Sequence, residues 1–189
     1  MNDFLGTAKA TAEPDGSFKL EGLVTGKVLL TAYCRLGFDN YVQSIMAGGE
    51  DVLGREVDSA AVASGGIKVI VRSDVASVSG TLDLDIQRRA GLKNPVVLLI
   101  PTEARLRRSH MIGYMWIDGN GRFQSKAVRP GEYLSFAFEN ENPSRFEDPE
   151  FYMLMQGKGE RVALAPGESK TLSLKLLPWP TESADRIQR

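Results

Sequence analysis

Short apolar runs, broken by Gly, Pro, Asn, Asp and Ser, recur along this chain about every 8–12 residues, the spacing of an all-β sandwich or barrel. Within the runs, apolar and polar positions alternate, which places successive side chains on opposite faces of a strand. The pattern predicts strands over 28–33, 41–46 and 67–71, and again over 111–117, 122–127, 133–138 and 170–177. The longest unbroken aliphatic run, 96–100, is far below the ~20 residues of a membrane span. Two stretches read as helical: 102–109, and 148–156, where Phe151, Leu154 and Met155 share a helix face. Asp118-Gly119-Asn120-Gly121 predicts a tight hairpin in which Gly and Asn accept positive φ. Arg129-Pro130-Gly131-Glu132 predicts a type II turn. From about residue 178 periodicity ends, and an extended, frayed tail is expected.

The pattern also repeats. Asp15-Gly16-Ser17-Phe18, with Gly26 eight residues after the Phe, has a partner in Asn120-Gly121-Arg122-Phe123 with Gly131, 105 positions later. The same offset carries Ile67, Val69 and Val71 onto Leu172, Leu174 and Leu176. The second copy opens near Val78-Ser79-Gly80 and includes Pro95 and the aliphatic run up to Pro101. The positions 105 before Gly80 and Pro101 fall ahead of Met1. The expectation is a first copy, residues 1–79, lacking its two N-terminal strands, and a complete second copy, residues 80–189. A sandwich without those strands leaves sheet edges open, an arrangement natural proteins avoid. The true start is therefore expected upstream of Met1.

The segments DGSFKLEGLVTGKVLLTAY (15–33) and DGNGRFQSKAVRPGEYLSFAFE (118–139) resemble the carboxypeptidase regulatory-like domain, a transthyretin-like (prealbumin-like) β-sandwich. The second copy carries the motif at Gly121, Phe123, Pro130, Gly131 and Tyr133. The first keeps Gly16, Phe18 and Gly26 but has Thr25 and Val28 in place of Pro and Tyr. YVQSIMAGGEDVLG (41–54) and DPEFYMLMQGKGERVALAPGESKTLSLKL (148–176) resemble the segments that close such domains in multi-repeat bacterial envelope or secreted proteins. The resemblance implies an all-β chain of two tandem Ig-like, prealbumin-like sandwiches. It implies an accessory module without catalytic residues, in a fold group to which carbohydrate binding is often ascribed. Related domains form an internal isopeptide bond assisted by a buried acid four residues after the motif Tyr. That position here is Ala137, with Glu139 two residues on, so no isopeptide bond is expected.

Charge and composition narrow the function. Twenty-three Lys and Arg against 24 Asp and Glu leave a formal charge of −1, which removes the electrostatic reason to expect nucleic acid as a partner. One Cys and one His exclude a disulfide scaffold and a Cys/His metal site within the chain, and neither metal nor cofactor is expected. Met1-Asn2-Asp3-Phe4-Leu5 has neither the basic nor the apolar part of a signal peptide. An extracellular or cell-envelope location is expected on the premise of an upstream start.

Each candidate for chemistry has an ordinary reading beside it. His110 has no carboxylate at a spacing that would make it a general base, and reads as an exposed loop residue. Cys34, with no His near it in sequence, reads as a small apolar residue at a strand end. Arg105, Arg107 and Arg108 form a weak anion-binding candidate, otherwise a solvated face offset by Glu103. Glu139, Glu141, Glu147, Asp148 and Glu150 lack the spacing of a calcium loop and read as a solvated acidic loop. The hydrolase, zinc-protease, P-loop and dinucleotide motifs are all absent, and no catalytic residue is assigned. Ile112, Tyr114 and Trp116 alternate on one strand face, where Tyr114 and Trp116 would offer a platform for a sugar ring, or else belong to the core. Lys9 and Thr11 stand at their positions in the first copy, which suggests a solvent-facing side. The leading expectation is a non-catalytic structural or interaction module of a larger secreted or envelope protein. Its partners would be neighbouring domains or another protein, without membrane insertion. The alternative is polysaccharide binding by Tyr114 and Trp116.

Overall fold

The computed structural model describes residues 8–33, 39–83, 92–139 and 142–180. It is mostly β and divides into two units, one of residues 1–33 with 42–71 and one of residues 34–41 with 72–189.

In the larger unit two sheets lie face to face. One has the order β11-β10-β7-β8, from Glu160–Leu164, Gly131–Glu139, Pro95–Pro101 and Gly113–Trp116. The other has the order β12-β6-β9, from Ser169–Leu174, Ala76–Leu82 and Arg122–Val128. Alternation decides what each strand buries. In β7, Val97 and Leu99 enter the core between the sheets with Val78, Met115, Phe123, Tyr133 and Leu174. Val96, Leu98 and Ile100 point the other way, into a second core with Leu134, Phe136 and Phe138.

That second core is roofed by a 3₁₀ segment, Pro143–Glu147, and an α-helix, Pro149–Met155. The Asp148 side chain accepts from the Glu150 N–H at 2.9 Å and caps the α-helix, and Pro149 suits its first turn. Phe151 and Met155 are buried one turn apart, whereas Leu154 stays 56% exposed. The helix expected over 102–109 is instead two 3₁₀ turns, Ala104–Leu106 and Ser109–Met111. Only Leu106 in this stretch is buried, too little apolar surface to hold a helix against the sheet. At the start of the expected tail Trp179 packs on Phe138 at 4.9 Å and Phe151 at 5.1 Å between ring centroids, and the rest of the tail, 181–189, lies outside the described residues.

Both predicted turns cross between the sheets. The Asp118 carboxylate accepts from the N–H groups of Asn120 and Arg122, both at 2.8 Å, and Gly121 alone takes positive φ, +76°. This turn leads from β8 in one sheet to β9 in the other, so it is not the hairpin expected. Gly131 has φ +155°, wider than a type II turn, as the chain returns from β9 to β10. The buried Tyr133 donates its hydroxyl to the Arg129 carbonyl at 2.6 Å and closes this corner.

In the smaller unit β1 (Lys27–Leu29) pairs antiparallel with β4 (Glu56–Asp58). A second sheet has the order β3-β2-β5, from Glu50–Asp51, Tyr41–Ala47 and Ile67–Arg72. A short helix, Ser59–Gly65, is capped by the Asp58 side chain. Leu30, Ile45, Ala47, Val52, Leu53 and Val62 are its buried apolar residues.

The offset of 105 recurs in the backbone geometry. Lys27, Val28 and Leu29 face Asp58, Val57 and Glu56, and Glu132, Tyr133 and Leu134 face Ala163, Val162 and Arg161. Glu13 N–H donates to Ser17 O at 2.8 Å and Gly16 N–H to Glu13 O at 2.9 Å. Asp118 N–H donates to Arg122 O at 2.8 Å and Gly121 N–H to Asp118 O at 2.9 Å. Gly16 and Gly121 have φ of +84° and +76°, and Gly26 and Gly131 +120° and +155°, conformations that favour glycine. Beyond these elements the units differ. β5 joins β2, whereas β12 runs parallel to β6, and the positions 105 after β2 lie in the helical roof.

Candidate functional site

β8 pairs with β7 and forms the edge of its sheet. Tyr114 stands opposite Leu98 and Trp116 opposite Val96, so both rings project on the face that carries the roofed core, while Met115 enters the core between the sheets. Burial falls along the row. Ile112 is 7% exposed, Tyr114 38% and Trp116 63%. The two rings meet at 5.1 Å between centroids with planes 74° apart. Together they form a corner rather than a flat platform, with one ring standing edge-on to the other. A pyranose could stack its C–H face on the indole while the second ring bounds the site at its side. Partial burial raises the Tyr114 phenol above its ordinary range, so the hydroxyl keeps its proton at neutral pH and can donate a hydrogen bond.

The three arginines are each engaged. Arg105 pairs with Glu103, a contact of two groups that leaves little net charge for an anion. Arg107 donates to Thr102 O at 3.0 Å and lies over the Tyr152 ring at 3.7 Å, a cation–π contact with the helical roof. Arg108 reaches Glu147 at 3.9 Å. They act mainly as struts between the 3₁₀ turns and the roof.

The acidic stretch also has work within the fold. Glu147 accepts from the backbone N–H of Ser109 at 2.9 Å and from its hydroxyl, and these bonds hold its carboxyl below the usual range. Asp148 caps the α-helix, and Glu139 accepts from Lys93 N–H at 2.7 Å. Sequence spacing missed the nearness of Glu147 to His110, because 37 positions separate them. Burial lowers the His110 pKa, only partly opposed by Glu147, so the imidazole is neutral at pH 7. Ala137 is buried opposite Val97, and Glu139 is exposed at the end of β10. Cys34 and Glu141 lie outside the described residues. Among the described residues no three His, Cys, Asp or Glu side chains come together as a metal site, and no helix is long and apolar enough to cross a membrane.

One cluster had no signal in the sequence. Asp74 Oδ1 accepts from the Tyr41 hydroxyl at 3.1 Å and from Arg72 Nε at 3.0 Å, and Arg72 Nη2 meets Oδ2 at 2.5 Å. The Arg129 guanidinium lies 5.9 Å from the Tyr41 ring centre. These bonds, that of Arg72 foremost, hold the Asp74 carboxyl down to about 2. Arg72, exposed, and Asp74, half-buried, are two apart in sequence, an ordinary local pair until Tyr41 joins them.

Compared with models of known protein families the chain matches none, and no curated protein matches it.

Proposed function

We propose that the chain is a non-catalytic interaction module of a larger secreted or cell-envelope protein, built from two copies of one prealbumin-like sandwich repeat, the second starting ahead of β6 rather than at residue 80. The observation that carries this reading is the common offset of 105 in the turn hydrogen bonds, the positive-φ glycines and the strand register. Such coincidence of pattern and geometry is what repetition of one folding unit produces. The polar side chains with candidate chemistry are occupied with capping and tethering, which supports a passive role. The contacts with neighbouring domains or another protein fall to the sheet edges and sandwich ends. A panel of chromogenic esters, peptides and glycosides tests the non-catalytic part. No turnover above buffer is expected, and turnover abolished by one side-chain substitution would overturn it.

A second reading is favoured by the exposure of Trp116 beside Tyr114. Large rings on a sheet face whose other members are buried suit a polysaccharide, which would stack on the indole. Titration with soluble polysaccharides, followed by tryptophan fluorescence, is expected to give saturable quenching in the native chain and none in Trp116→Ala. Equal quenching in both, or none in either, excludes this reading.

A further inference from the structure

Of the asparagines in the chain, only Asn120 is followed by Gly, and Gly121 has no side chain to obstruct the approach of its nitrogen to the Asn120 amide carbon. Asn94 and Asn142 precede Pro, whose nitrogen carries no proton to lose. The reaction open to an Asn-Gly pair needs water alone. The Gly121 nitrogen gives its proton to solvent base and attacks Cγ of Asn120. A C–N bond forms, and the side-chain amide nitrogen takes up a proton and leaves as ammonia. Water then opens the cyclic imide at one of its carbonyls, leaving aspartate or isoaspartate. The balance is amide and water to acid and ammonia, with no change of oxidation state.

The folded turn presents the amide to water but withholds the nucleophile. Asn120 is exposed, whereas Gly121 is buried. Gly121 N–H donates to Asp118 O at 2.9 Å, and Gly121 O accepts from Leu82 N–H at 2.7 Å, so this residue is held through both of its backbone groups. The Asp118 carboxylate accepts from the N–H groups of Asn120 and Arg122, both at 2.8 Å, on either side of the reacting nitrogen. Its negative charge opposes loss of a proton from the nitrogen between them. Swinging that nitrogen onto Cγ of Asn120 would break the bond to Asp118 O.

We infer that Asn120 is a deamidation site guarded by Asp118, inert while the turn is closed and reactive when the turn opens. Turns open locally in the native state, so conversion is slow, irreversible and set by the strength of the Asp118 bonds. An aspartate product is compatible with the turn. Asp15, 105 positions earlier, precedes Gly16, whose N–H makes the same kind of bond to Glu13 O at 2.9 Å. Isoaspartate is not compatible, because it inserts a methylene between two N–H groups that both bond to Asp118. The adjoining bond from Leu82 N–H and the pairing of Thr81 with Arg122 at the end of β6 loosen with it.

The test incubates the full chain in mildly alkaline buffer and follows it by tryptic digestion and mass spectrometry. Cleavage after Arg108 and Arg122 releases residues 109–122, in which Asn120 is the only side-chain amide, so the gain in mass from amide to acid reads Asn120. Isomerisation of Asp118 leaves the mass unchanged. The folded chain is expected to convert about tenfold more slowly than the same chain unfolded in urea. Asp118→Ala is expected to raise the folded rate about fivefold, the worth of one hydrogen bond, with exchange of the Gly121 N–H rising in step and the β7 amides still protected. Asp118→Ser returns a weaker acceptor and is expected to fall between the two. It decides the matter should Asp118→Ala unfold the larger unit. Equal rates in the folded and urea-unfolded chains, or no acid product in either, overturn the inference. A folded variant that loses Asp118 and still converts at the native rate overturns the guarding role.

Discussion

The Tyr133 hydroxyl donates to the carbonyl of Arg129, 2.6 Å away, across the corner where the chain passes from one sheet to the other. The ring is buried in the core between the sheets, and burial pushes its phenol up to about 12. Tyr133→Phe keeps the ring and loses the bond, at an expected cost of about 1 kcal/mol in chemical denaturation. The pH dependence has a definite sign. A phenol whose folded pKa exceeds its unfolded one gives stability that is complete below pH 10 and lost as pH rises towards 12. Denaturation midpoints for Tyr133→Phe should fall less steeply than those of the native chain between these values.

Asp74 behaves in the opposite sense. Its carboxyl is held at about 2, chiefly by the Arg72 guanidinium. The stability it contributes is complete above the ordinary carboxylate pKa and lost as pH falls from about 4 to 2. Asp74→Asn is therefore expected to be less stable than the native chain at pH 6, with the difference vanishing near pH 2. A constant difference across an acid titration would contradict the assigned geometry.

Gly80 sits in β6 between β12 and β9. A Cβ there would lie 2.1 Å from the Leu172 carbonyl oxygen and 2.5 Å from the Phe123 ring. The backbone oxygen cannot yield as a flexible side chain would. Gly80→Ala should cost about 3 kcal/mol, at the upper end of overpacking effects, read as a lowered urea midpoint.

Trp179 stands within 4.9 Å of Phe138 and 5.1 Å of Phe151, centroid to centroid. Because it is only half-buried, Trp179→Ala should cost about 2 kcal/mol, below the range for fully buried aromatics. The near-ultraviolet circular dichroism of the aromatic cluster should weaken in the same variant.

The strands were legible because alternation is a local signal. β2, β5, β9 and β10 fall where the pattern predicts them, within one or two residues. The helix at Pro149–Met155 was legible from Phe151 and Met155, and Leu154 misled because propensity does not say which face meets a sheet. What could not be read is what distance in sequence hides. Glu147 tied to Ser109, Tyr41 tied to Asp74 and Trp179 laid on Phe138 are contacts across 33 or more positions. The aromatic row at Ile112, Tyr114 and Trp116 was read correctly as one face. Its tapering burial depends on where the roof ends, which no local pattern encodes.

β7 supplies side chains to both cores of the larger unit and has almost nothing left for solvent, since Val96, Val97, Leu98, Leu99 and Ile100 are all fully buried. A strand shared in this way couples the stability of the sandwich to that of the roofed layer. Loosening the roof exposes Val96 and Leu98, and opening the sandwich exposes Val97 and Leu99. Each layer therefore stabilises the other through β7, and the two are expected to lose their order together in one cooperative transition.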